Sequence, residues 1–120
     1  MSSMNIKCVG FGEIEINGKK YDHDLVIDSG EIHKRKKKPS KKYKEQFGHT
    51  PISLDEKIPW GGTELIIGIG FDGQLPVMPN VVENAKSRGI SLVQRTTPEV
   101  CKILAKKDIK KTRAIIHVTC

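Results

Sequence analysis

The chain has 120 residues, with 21 Lys or Arg against 14 Asp or Glu and a formal net charge of +7. That length fills one ordinary domain and leaves no room for two independent cores. With 37% apolar residues, 11 Gly and 6 Pro, the composition excludes collagen-like and disordered chains and points to a globular protein.

In chain order, the first third reads as an antiparallel meander. Residues 6–11 and 13–16 are expected to be extended, and Asn17-Gly18 supplies the positive-φ pair of a tight hairpin turn. Residues 21–27 resume as strand, Ser29-Gly30 turns, and Glu31-Ile32-His33 leads onward. Gly10 and Gly12 are expected to mark a bend or bulge.

Eight of the next eleven residues are basic: Lys34, Arg35, Lys36, Lys37, Lys38, Lys41, Lys42 and Lys44. Taking these eight from the 21 leaves 13 basic against 14 acidic residues, so the charge excess is one local stripe. Across 34–62 the apolar residues stand alone (Tyr43, Phe47, Ile52, Leu54, Ile58, Trp60), and Pro39, Pro51 and Pro59 punctuate the stretch. It is expected to be a long surface excursion with one helical turn over 40–47.

The second half alternates strands and helices. Residues 63–70 form a short apolar run, the mark of a strand buried on both faces. Asn80 with Glu83 predicts a helix N-terminus, Val81, Val82 and Ala85 its inner face, and Gly89 its end. Residues 90–95 read as strand. Thr96 and Glu99 around Pro98 predict a capping box, and Val100, Ile103 and Leu104 the buried side of a second helix. Residues 114–118 end the chain as a buried strand. The order βββ-loop-βαβαβ predicts an α/β fold, a single domain over 1–120 with a mixed sheet and helices packed on it.

Gly68, Gly70 and Gly73 form G-x-G-x-x-G after a strand, the arrangement that lets a backbone approach a pyrophosphate. Pro76 and Pro79 delay the helix that should follow, and no acid stands where the ribose would be held, so a dinucleotide is not expected. A weaker expectation is a pocket at that strand end formed by Gly68, Gly70, Gly73, Arg95 and Thr96, with Arg95 meeting an anionic group. Asp22-His23-Asp24 invites a metal, but strand alternation would send His23 away from both carboxylates. The four histidines have no metal-ligand spacing, so no metal and no cofactor is expected. His117 and Cys120, three apart, would fall on opposite faces of a strand, which argues against a nucleophilic pair. No other Ser/His/Asp arrangement stands out, and no catalytic residue is assigned.

The three cysteines (Cys8, Cys101, Cys120) form no short pair, which argues against a disulfide framework and fits a reducing compartment. The opening residues lack a secretory pattern, and no apolar run is long enough to span a bilayer. A soluble, cytoplasmic protein is therefore expected.

The basic run can serve an anionic partner or merely keep a loop solvated. If eight phosphates were neutralised, duplex binding would fall with a log–log salt slope near −7. Only Tyr43 interleaves an aromatic ring, so base stacking is poorly provided for.

Several stretches, in order, resemble a small and largely uncharacterised α/β domain family. Its members include archaeal and bacterial proteins of unknown role, an animal adipogenesis-associated protein and a mitochondrial complex I assembly factor. The stretches are Phe11-Gly12 with Asn17-Gly18, Tyr21-Asp22-His23-Asp24, the basic run with Gly48-His49-Thr50, and residues 66–70. Thr96-Thr97-Pro98-Glu99 and the terminal Ala114-Ile115-Ile116-His117-Val118-Thr119-Cys120 complete the set. The resemblance implies three layers, a β-hairpin and helices about a mixed sheet whose last strand is central and antiparallel. That direction would carry Cys120 away from Gly70. It implies binding or assembly rather than known enzymes, and it carries over no catalytic residue.

The expected function is a non-enzymatic interaction or assembly module that engages an acidic protein partner through the basic run and the nearby sheet edge. Nucleic-acid binding through the same run is the first alternative. A small-molecule or enzymatic site at the Gly68–Gly73 loop is the second.

Overall fold

Asn17 and Gly18 both adopt positive φ, 51° and 86°. Their two-residue turn joins β2 (Glu13–Ile16) to β3 (Lys19–Tyr21), as Asn-Gly chemistry dictates. β1 (Ile6–Gly10) pairs antiparallel with β2, and the register slips between Cys8 and Gly10 where the bend was expected. These three strands form a small sheet of their own in the computed structural model, which describes residues 4–119.

The strand expected over 21–27 divides at Asp22–Asp24, where the chain passes from the small sheet to a larger one. β4 (Leu25–Asp28) and β5 (Glu31–Lys34) pair antiparallel across Ser29 and Gly30, both at positive φ. The larger sheet has the order β5-β4-β8-β6-β7, with β6 at Glu64–Ile69, β7 at Ser91–Arg95 and β8 at Arg113–His117. The last strand is central, as the resemblance implied. It runs antiparallel to β4 but parallel to β6, with Ile69 opposite His117. Cys120, expected to be carried away from Gly70, lies outside the described residues; at the end of the described chain the Phe71 amide donates to the Thr119 carbonyl at 2.7 Å.

The helix of the second half begins earlier than Asn80. α2 (Pro79–Ser87) takes Met78 as its N-cap, because Pro79 has no N–H to leave unpaired and suits the first turn. Val81 and Ala85 are buried, whereas Val82, expected inside, faces outward. Gly89 follows the helix at φ 69°. α3 (Thr97–Leu104) is N-capped by Thr96, whose hydroxyl donates to the Glu99 carboxylate at 2.8 Å instead of closing the expected capping box with backbone amides. Val100, Cys101 and Leu104 are buried and Ile103 partly so.

The large sheet divides two apolar clusters, which makes three layers. One cluster joins Met4 and the small-sheet residues Ile6, Ile14 and Ile16 to Val100 and Leu104 of α3. The other packs Leu65, Ile67 and Ile115 against Val81 and Ala85. Ile52 and Ile58 belong to this second cluster, so much of the excursion closes the sheet as a packed layer. Its basic portion is folded as a 3₁₀ helix at Lys38–Tyr43 and a single turn, α1 (Lys44–Phe47), ended by Gly48 at φ 77°.

Cys8 and Cys101 form a disulfide between β1 and α3, with Cα atoms 6.6 Å apart. This corrects the expectation from spacing, since the two are 93 residues apart and only the packing of the small sheet on α3 brings them together.

Candidate functional site

Asp24, at the strand break, turns inward and meets the end of β8. Its carboxylate lies 2.8 and 3.0 Å from His117 Nδ1 and accepts the Val118 amide at 3.1 Å. Burial by itself would push this carboxyl up. The bond and charge of His117, the Val118 amide and the Arg35 charge outweigh burial and hold it below the ordinary carboxylate value. An ionised carboxylate only accepts, so His117 donates through Nδ1. Nε2 is left facing Thr119 Oγ1 at 3.1 Å, accepting from the hydroxyl when the ring carries only its Nδ1 proton and donating to it when both nitrogens are protonated.

Arg35 belongs to the same network. It is 3% exposed, the one member of the basic run that points into the molecule. Nε and an Nη donate to the two Glu56 oxygens at 2.8 and 2.9 Å, and the other Nη donates to Asp24 at 3.0 Å. The Pro51 carbonyl accepts a further bond at 2.9 Å. Glu56 also accepts from the buried Ser40 hydroxyl, which contacts Ser53 at 2.7 Å. Burial disfavours the charged guanidinium, yet Glu56 and Asp24 more than compensate and keep it protonated.

With Arg35 turned in, Lys34, Lys36, Lys37, Lys38, Lys41, Lys42 and Lys44 are all exposed. Ser40 and Arg35 anchor the segment that carries them. It continues from β5, which stands at the edge of the large sheet.

Between this segment and the end of β8 lies a cleft of about 170 Å³ lined by Arg35, Lys37, Lys44, His49, His117 and Thr119, among others. A larger hollow of about 530 Å³ opens at the other end of the sheet, beside Glu64, Lys107 and Arg113. Its charges are partly spoken for, since Lys107 pairs with Glu64 at 3.0 Å and Arg113 approaches Asp28 at 3.4 Å.

Gly68 stands opposite Arg95 in the parallel register of β6 and β7. The Gly70 amide donates to Thr97 Oγ1 at 3.0 Å, and that hydroxyl donates to the His117 carbonyl at 2.6 Å. A Cβ at Gly68 would stand 3.2 Å from the same oxygen, and one at Gly73 3.7 Å from Thr96. The tight approach at Gly68 thus makes room for Thr97, whereas Gly73 is favoured by its φ of 67°. Arg95 bends back to the Gln94 carbonyl at 2.8 Å.

Sequence reasoning missed Asp24, His117 and Thr119 as a group, and Glu56 altogether. One signal was present: a histidine between Ile116 and Val118 in a buried strand must find a polar partner.

The family model described as "Protein of unknown function (DUF498/DUF598)" matches residues 6–115. The chain belongs to this family. Among solved structures, a conserved hypothetical protein from Pyrococcus horikoshii, PH1505, is similar at 32% identity and a TM-score of 0.72, over 98% of this chain and all of that one. A second, MT938, is 22% identical with a TM-score of 0.63, again over 98% of this chain and all of that one, and shares the fold. No curated protein matches the chain. The family is one of unknown function, so the chemistry rests on the residues of this chain.

Proposed function

We propose that the protein is an interaction or assembly module that docks an acidic protein partner on the lysines of its basic segment. The observation that carries this reading is the inward turn of Arg35, which leaves seven lysines exposed on a folded, anchored platform. A platform already folded loses little conformational freedom on binding, unlike a mobile tail. The neighbouring edge strand β5 offers backbone groups beside the charge. The family that the sequence resembles includes an assembly factor, which points the same way. Nucleic acid is the less favoured partner, because Tyr43 is the one ring within the segment and its hydroxyl is engaged by Asp55.

Fluorescence anisotropy tests the reading with a labelled Glu/Asp-rich peptide and, in parallel, single- and double-stranded oligonucleotides. The peptide should bind at low salt, weaken as salt rises, and be lost when Lys34, Lys36, Lys37 and Lys38 become Ser. Peptide binding that ignores salt or those substitutions would overturn the docking surface. A preference for oligonucleotide with a log–log salt slope approaching about −6, the limit for seven lysines, would transfer the platform to nucleic acid.

A further inference from the structure

Asp24, His117 and Thr119 stand in the order of orienting carboxylate, base and hydroxyl nucleophile. Asp24 fixes the ring through Nδ1, and Nε2, a base in the neutral form of the ring, faces Thr119 Oγ1 at 3.1 Å. Asp24 and Glu56 place two negative charges against the single charge of Arg35, so a proton reaching His117 arrives beside an uncompensated anion. The array lies where the carboxyl ends of the parallel strands β6 and β8 meet, the position at which α/β sheets place their ligands. Hydrogen bonding of the Thr119 carbonyl by the Phe71 amide fixes the backbone that carries the hydroxyl.

We propose that Thr119 is an activated nucleophile for acyl transfer, and that the cleft above it takes a small acyl donor bearing negative charge, such as an acyl phosphate. The size follows from the volume: about 170 Å³ is well below the roughly 300 Å³ at which drug-sized ligand sites begin. The charge preference follows from Lys37 and Lys44 in the lining, because Arg35 is already neutralised by its carboxylates.

In the step, Thr119 Oγ1 attacks the acyl carbon and the carbon–oxygen bond to phosphate breaks. The electron pair leaves on phosphate. The hydroxyl proton passes to His117 Nε2 and from there to the departing phosphate. Water then attacks the Thr119 ester by the same route, releasing the carboxylic acid and restoring the hydroxyl. Thr119 and His117 are the catalytic residues, and Asp24 is a positioning residue.

The experiment incubates the purified protein with acetyl phosphate. It reads both phosphate release above the spontaneous rate and hydroxylamine-sensitive acetylation of the peptide carrying Thr119. Hydroxylamine separates a threonine ester from adventitious lysine acetylation, which resists it. Thr119→Ser should keep the reaction, whereas Thr119→Val, nearly isosteric and only partly buried, should abolish it with lysine labelling unchanged. His117→Gln should slow it about 10²-fold or more, the usual contribution of a positioned base. Asp24→Asn, which presents an amide to Nδ1, should slow it while leaving the label on Thr119. Neither ester nor excess phosphate release in the wild type, or both persisting in Thr119→Val, would overturn the proposal. Peptide binding to the lysine platform is read separately, so the two ideas fail independently.

Discussion

Arg35 is buried among groups that meet nearly all of its donors, and the arrangement has a definite purpose in the fold. Desolvating an ion pair cancels most of its Coulomb gain, so the Asp24–Arg35–Glu56 cluster adds little net stability over an apolar equivalent. What it supplies is position: residue 35 is tied to the strand break through Asp24 and to the packed layer through Glu56 and Pro51. The cluster also makes stability depend on acid. Asp24 is held below its ordinary value when folded, whereas in the unfolded chain it titrates near about 3.9. Its contribution is therefore complete above that value. It declines as pH falls, because the unfolded chain takes up a proton that the folded one still refuses. Urea unfolding at a series of pH values should show wild type more stable than Asp24→Asn at pH 7, with the gap narrowing below about pH 4. A gap that stays constant with pH would mean that the carboxylate is not held ionised by its partners.

At the scale of elements, the Cys8–Cys101 disulfide joins the small sheet to α3 across 93 residues. Closing so long a loop restricts the unfolded chain, and removal of such a bond typically costs about 2–5 kcal/mol. Reduction, or the double change Cys8→Ser with Cys101→Ser, should lower the urea midpoint accordingly. An unchanged midpoint would place the stability of that layer in Ile6, Ile14, Val100 and Leu104 alone. The elements themselves were largely legible. Asn17-Gly18 specifies its turn locally, the apolar run at 63–70 announces a strand buried on both faces, and Thr96-Thr97-Pro98-Glu99 opens a helix. The candidate site was not legible for the reason that hid the disulfide: Asp24 and His117 are also 93 residues apart. Periodicity and spacing report neighbours along the chain, while Asp24 meets His117 because β4 lies beside β8, and Cys8 meets Cys101 because the small sheet packs on α3. The start of α2 was misread because Asn80 is a good cap by side chain, but Pro79 before it fits the first turn still better.

For the whole molecule, the charge is arranged as a balanced body with one cationic face. Seven lysines stand exposed on residues 34–44, and like charges concentrated on so short a segment repel one another until salt screens them, over a Debye length of roughly 8 Å at physiological ionic strength. Lys42 pairs with Asp55 at 3.4 Å on the surface, where such a pair is worth about 0–1 kcal/mol. The anchoring of the segment depends on Arg35 and Ser40, neither of which is among the seven. Replacing all seven lysines with Ser should therefore leave the fold intact and its stability unchanged or slightly raised at low salt. Added salt should stabilise the wild type by screening that repulsion and should have a smaller effect on the variant. Urea midpoints of both proteins at low and high ionic strength provide the measurement. Equal salt responses would mean that the lysines do not act as a concentrated face. A variant that unfolds would mean that they hold the segment in place, and the docking platform would lose its physical basis.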